Sequence, residues 1–442
     1  MTSDLLIKNC LIVTMDRERR ILENGYVVVD EGTIQTVGKG QPESISADRE
    51  IDGTGKIAIP GLISTHTHMY GILSHGIPIS DSPQSFRDFL EEFWWPKIEN
   101  RLGKQEIKDA TRMACVDMAK TGTTCFADIL EAPNAIPGAL DAEAEVVEEA
   151  GLRGFLSFEA SERISQSNGE ESLQENAQFI RKCNQRDSIV RGMMCTHTLF
   201  TCSLPFLSEA RALASQLRSG IHIHLEEGKY ETQYCKDRYG DLPVRIYDGV
   251  GFLGSDLVAS QCVHTSPEET ELLARHDVKI SHMPLSNCEV GGGIAPVKQF
   301  LDSGLTVSLG TDGYITDMFE VMRGAFLIHK GYLQDASVLP PKQVFEMATV
   351  SGAKTLGISD RVGSIETGKD ADIVLVDDHF LTPVTSSNVY AQLVAFGKGS
   401  YVDTVLVRGR MIVDNGAMTT ISEEKARTAC MRTAERFWSK LD

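Results

Sequence analysis

Eight short apolar runs, recurring roughly every 20 to 40 residues after a longer first gap, constrain this chain more than any other feature. They cover residues 57–64, 123–127, 154–158, 189–196, 220–223, 257–263, 278–281 and 305–310. Each is followed at its carboxyl end by a side chain that can ligate or titrate. In order these are His66 with His68, Asp128, Glu159, His197, His224, His264, His282 and Asp312. The intervening segments carry helical spacing. Ile107, Ala110, Ala114 and Met118 form one stripe that stops at Gly122, and a second helix over 208–217 is closed by Gly220. Eight strand–helix units predict a (β/α)8 barrel, a fold that gathers chemistry at the carboxyl ends of its strands. Six of the eleven histidines fall at those ends, which random placement does not explain.

The flanks read differently. Residues 1–56 alternate short apolar runs with Gly-containing turns, and residues 365–442 repeat that texture before a helix from Ser422 to about residue 441. Neither end holds enough apolar residues for its own core. The expected organisation is therefore a barrel over 57–364 and one small β-sandwich domain assembled from both chain ends.

Composition excludes several classes. The net charge of −19 over 442 residues, with no basic stripe, repels nucleic acid and anionic membrane surfaces. No apolar run approaches the roughly 18 residues of a membrane span, and the start of the chain lacks the pattern of a signal peptide. The ten cysteines show no CxxC pair, as in a reduced cytoplasmic protein.

His66 and His68, one residue apart on an extended chain, aim two imidazoles at one point. With His224 and Asp312 they would offer three nitrogens and a carboxylate to one divalent ion, Zn2+ or Fe2+, leaving a position for water. Such an ion would lower the pKa of bound water towards about 7. Asp312 lies in Gly-Thr-Asp-Gly, which also suits a turn, but it closes the eighth run. Glu227, three residues past His224, is placed to move protons between water and a leaving nitrogen, with Glu226 the ordinary surface carboxylate of the pair. His264 would either bind metal or polarise the attacked centre, and His282 would support the ligands from behind. No lysine closes the fourth run to bridge a second metal, so one ion is expected.

The motifs Pro60-Gly-Leu-Ile-Ser-Thr-His-Thr-His68, His222-Ile-His-Leu-Glu-Glu227, Val263-His264, Ser281-His-Met-Pro-Leu-Ser-Asn287 and Leu309-Gly-Thr-Asp312 resemble the amidohydrolase superfamily. Over essentially the whole chain the resemblance is to its aminohydrolase branch of S-adenosylhomocysteine/5′-methylthioadenosine deaminases and triazine hydrolases. It implies a single metal at His66, His68, His224 and Asp312, with Glu227 as proton shuttle and His264 polarising the attacked centre. It further implies Glu99, in Trp95-Pro-Lys-Ile-Glu99, as the holder of ribose hydroxyls, with Trp95 and His197 on the sugar side. Glu99 read without the resemblance is equally a helix-surface carboxylate before Arg101. Met283 stands where members often carry Asn. Arg163 alone is near enough to grip an amino-acid carboxylate, which favours a smaller adenosine-type substrate over adenosylhomocysteine.

The expected activity is hydrolytic deamination of an amino-substituted N-heterocycle, first of all the adenine of a nucleoside. Alternatives on the same scaffold are removal of an amine or chloride from a pterin, guanine-type or triazine ring. A metal-free binding protein is the rival from another class, opposed by the intact ligand set. The expected partner is a small molecule, and barrels of this kind commonly pair into homo-oligomers.

Overall fold

The computed structural model describes residues 2–40, 42, 45–78 and 83–439. Eight strands form the barrel: β1 (Leu62–Thr67), β2 (Thr123–Leu130), β3 (Arg153–Phe158), β4 in two pieces (Val190–Gly192 and Met194–Thr196), β5 (Ile221–Leu225), β6 (Leu257–Gln261), β7 (Lys279–His282) and β8 (Thr306–Leu309). They pair in parallel as two arcs, one ending at the first piece of β4 and the other starting at the second. Bridges between Ala160 and Thr196, and between Thr67 and Asp312, join the arcs into a closed ring. At the second seam the amides of Thr311 and Asp312 donate to the His66 carbonyl at 2.9 and 3.1 Å. Closure of the barrel thus sets Asp312 beside the β1 histidines.

β5 shows how sequence dictates the interior. Strands of a parallel barrel are buried on both faces, and all five residues of Ile-His-Ile-His-Leu are buried. Ile221, Ile223 and Leu225 join the main apolar core, each contributing roughly 1.5–3 kcal/mol. That burial offsets the desolvation of His222 and His224, which alternate onto the other face.

The run 57–64 is two strands. Lys56–Pro60 belongs to the terminal sheet and β1 starts at Leu62. Gly61 separates them, and a Cβ there would stand 1.9 Å from Thr124 Oγ1, so only glycine lets the chain cross between domains here. Lys56–Pro60 pairs antiparallel with Ile373–Asp377 and parallel with Thr2–Val13. It is the seam between the N- and C-terminal contributions to a nine-stranded sheet. Ile7, Val27, Val29, Ile373, Leu375 and Leu406 build that domain's core from both ends. Buried Arg153, at the start of β3, bonds Asp372 at 3.1 Å and Asp370 at 2.8 Å, tying the barrel to this sheet.

The helix Lys104–Lys120 carries the expected stripe. The next predicted one starts earlier, at Leu204 behind the Ser203 cap, and ends at Leu217 with Arg218 left-handed rather than at Gly220. The last helix, Glu423–Trp438, is capped by Ser422, and the end of its predicted range lies outside the described residues. Its Trp438 Nε1 donates to the Leu73 carbonyl at 2.8 Å, pinning the segment that follows His68. None of the ten cysteines is in a disulfide. Among the described residues no helix is long and apolar enough to cross a membrane.

Candidate metal and substrate site

Three histidines from two strands converge at the carboxyl mouth of the barrel. His66, His68 and His224 hold ring nitrogens within 4.8 Å of one another. Asp312 reaches the same point from beyond β8. Its Oδ2 is 3.9 Å from His66 Nε2 and its Oδ1 is 3.7 Å from His68 Nε2.

Each opposite ring nitrogen faces an outer polar atom. His68 Nδ1 donates to the Ile129 carbonyl at 2.7 Å. His224 Nδ1 lies 2.6 Å from Glu159 Oε1. His66 Nδ1 lies 3.1 Å from His222 Nε2. A proton held at Nδ1 leaves Nε2 as a lone pair, so these partners turn the acceptors inward. Burial, reinforced for His66 by the neighbouring histidines, lowers the pKa of all three rings. They therefore stay neutral, the form in which imidazole ligates. His66 Nε2 is buried without a hydrogen-bond partner among the described residues. Three lone pairs and a carboxylate around an orphaned nitrogen fit one divalent ion.

Beside this point opens a cavity of about 660 Å³. Glu227 lines it, and burial followed by the nearby Asp312 charge pushes its carboxyl well above the ordinary range. His197 and Trp95 lie on the wall with ring centroids 5.9 Å apart. His197 is anchored by Thr201 Oγ1 at 2.8 Å, and burial lowers its pKa to about 3. Phe86, Phe89, Phe93 and Trp94 form an apolar outer wall.

Glu99 is no surface carboxylate: it is 2% exposed and lines the cavity. Tyr70 donates to its Oε1 at 2.9 Å and Arg163 to its Oε2 at 2.9 Å. Arg163 also bonds Glu131 Oε1 and reaches Asn100 Oδ1 at 2.8 Å. Its guanidinium lies 5.0 Å from the Trp95 ring centroid. One guanidinium cannot neutralise two buried carboxylates. Burial opposes ionisation of Glu131, but Arg163, His197 and hydrogen bonds from Glu99 and Glu159 together outweigh it and hold that carboxyl down at about 2. Burial and then Glu131 push Glu99 up instead. The negative charge sits on Glu131, and Glu99 is a proton-bearing hydrogen-bonding group at the cavity wall.

One predicted residue falls elsewhere. His264 comes three residues after β6 ends, stands outside the residues that line the cavity, and packs by the backbone of Gly292 and Gly293. The side chain that reaches Asp312 from β6 is Gln261, whose Nε2 donates to Oδ2 at 2.6 Å. His282 is buried behind the mouth, its Nε2 2.9 Å from His329 Nε2 on the helix Met318–Leu333. Sequence reasoning missed Gln261, His222, Tyr70 and Glu131. Only His222 carried a signal, by sharing the face of His224 at i−2.

The Amidohydrolase family profile matches residues 57–412, and the chain belongs to that family. It is 37% identical over 445 residues to the 5′-deoxyadenosine deaminase of Methanosarcina acetivorans, covering 98% of this chain and 99% of that one. It is 35% identical to the 5-methylthioadenosine/S-adenosylhomocysteine deaminase of Thermoanaerobacter pseudethanolicus, covering 96% of each. An adenosine deaminase from Xanthomonas campestris, solved with bound zinc, superposes with a TM-score of 0.90 at 25% identity over 99% of both chains.

Proposed function

We propose that this protein is a metal-dependent hydrolase that deaminates the adenine of a nucleoside with a small 5′ group, of the 5′-deoxyadenosine or 5′-methylthioadenosine type. The observation that carries this reading is the convergence of three neutral imidazole acceptors and Asp312 beside a high-pKa Glu227, in a cavity that also holds Glu99. The relatives' names place the same chemistry on adenine nucleosides.

His66, His68, His224 and Asp312 would hold one divalent ion, Zn2+ in our reading. When bound it supplies the Lewis acidity that lets water ionise near neutral pH. Glu227 carries a proton on its carboxyl and delivers it to the ring nitrogen next to the amino-bearing carbon. As water adds at that carbon, the Glu227 carboxylate so formed takes the proton that water loses and passes it to the amino group, which leaves as ammonia. The remaining hydroxyl returns its proton to Glu227 and the oxo product is left. Glu99 and His197 take the ribose hydroxyls, with Trp95 against the sugar. The Phe86–Phe89–Trp94 wall excludes water and packs on the 5′ end. Arg163 positions Glu99 and does not grip the substrate.

The test is ammonia release from a panel of adenine nucleosides, guanine, pterins and aminotriazines. Turnover of the nucleosides above the free bases supports the reading. Turnover confined to the other rings, or of nothing, refutes it.

A further inference from the structure

We infer that Gln261 is the positioning residue for Asp312, holding its carboxylate towards the metal-binding point through an uncharged donor. The inference rests on the reading of Asp312 as a ligand.

Gln261 is fully buried, and its Nε2 meets Asp312 Oδ2 at 2.6 Å. The Gly313 amide donates to Oδ1 at 2.7 Å, so each carboxylate oxygen has one fixed donor. The two oxygens are thereby turned to the β1 histidines, Oδ2 nearer His66 and Oδ1 nearer His68. The amide's Oε1 is buried with no partner among the described residues, so the side chain is not placed there to satisfy itself.

The backbone argues the same way. Cys262 N–H bonds the Ser260 carbonyl at 3.0 Å around Gln261, whose φ is +71°. That is a three-residue γ-turn with a left-handed centre, a conformation a β-carbon disfavours. Cys262 follows at φ +50°, and Asp312 itself sits at φ +60°. Both partners of one hydrogen bond thus occupy strained backbone, which persists only where surroundings over-determine it. The surroundings are visible. Cys262 N–H also reaches the Leu225 carbonyl at 2.8 Å, and the amides of Val263 and His264 both reach the Glu226 carbonyl at 3.1 Å. The turn is stapled to the chain just past His224, so it sets Gln261 relative to a ligand strand as well as to Asp312. A bond from a ligating carboxylate to an outer donor typically governs metal affinity by about 10–100-fold.

The experiment compares wild type with Gln261→Met, which keeps length and removes the donor, and Gln261→His, which returns a ring N–H. Zn2+ affinity of the chelator-stripped proteins is measured by competition, with apo-protein melting and kcat and KM alongside. Gln261→Met should weaken Zn2+ binding by about 10–100-fold, lowering kcat more than it changes KM, with apo melting retained. Gln261→His should keep affinity within about threefold of wild type. Unchanged affinity in Gln261→Met, or equal loss in both variants, overturns the inference. If Gln261→Met does not fold, Gln261→His decides: retention supports the donor role and loss refutes it. A wild type that binds no Zn2+ would instead refute the metal-site reading itself.

Discussion

His68 and His224 lie parallel and offset, their ring planes 4° apart, their centroids 5.3 Å apart and their Nε2 atoms 3.3 Å apart. With His68 Nδ1 bonded to the Ile129 carbonyl and His224 Nδ1 beside Glu159, two ring nitrogens meet in a buried place. A divalent cation held there would draw both nitrogens into coordination.

The pH dependence of metal binding follows, with its sign. Burial lowers the pKa of His66, His68 and His224 below the ordinary value of 6.5. Protons therefore compete with metal less than they would at three ordinary imidazoles. Three ordinary imidazoles would together lose about a thousandfold in affinity at pH 5.5. Competition titrations of Zn2+ at pH 7.5 and 5.5 should differ by far less than about a thousandfold; a full thousandfold loss would contradict the neutral, preset site.

Glu227→Gln removes the proton carrier and preserves shape. We expect kcat on the best nucleoside to fall about 10²–10⁴-fold, with metal stoichiometry unchanged. Steady-state kinetics with elemental analysis check this, and near-wild-type turnover would remove Glu227 from the mechanism.

Glu99→Gln tests ribose recognition without leaving Arg163 unpaired, because Glu131 and Asn100 still receive that guanidinium. KM for nucleosides should rise about tenfold through a lost hydrogen bond. Turnover of free adenine should be unaffected. Equal effects on base and nucleoside would mean that Glu99 only braces the fold.

Arg163 faces Glu99, Glu131 and Asn100, so its donors are engaged before any substrate arrives. The apolar wall then prefers a methylthio or methyl 5′ end to a zwitterionic amino-acid tail. Methylthioadenosine should exceed adenosylhomocysteine in kcat/KM by at least about tenfold, the weight of one unmatched charged group. Parity between the two would contradict the assignment of Arg163 as a positioning residue. Arg163→Leu should in turn destabilise the fold by about 3–5 kcal/mol, since Glu131 would be left buried and uncompensated.

Much of the site was legible in the chain because strand periodicity is rigid. His66 with His68, and His224 after an apolar run, had to share a face once the run was extended, and barrel closure brought Asp312 to them. What stayed hidden depended on departures from regularity. The γ-turn at Gln261 ends β6 two residues early, so the apolar run to Val263 pointed to His264 while the backbone handed the place to an uncharged amide. Likewise Arg163 read as a free cation, because nothing in one dimension shows that Glu99 and Glu131, 64 and 32 residues away, meet it in the interior. The run through Pro60 looked continuous, although Gly61 divides it between two domains.

The central claim is that one divalent ion at His66, His68, His224 and Asp312 makes the chain an enzyme. Chelator-stripped protein should release no ammonia from methylthioadenosine, and activity should return linearly with added Zn2+ and saturate at one equivalent per chain. Activity that ignores bound metal, or that needs a second equivalent, would contradict it.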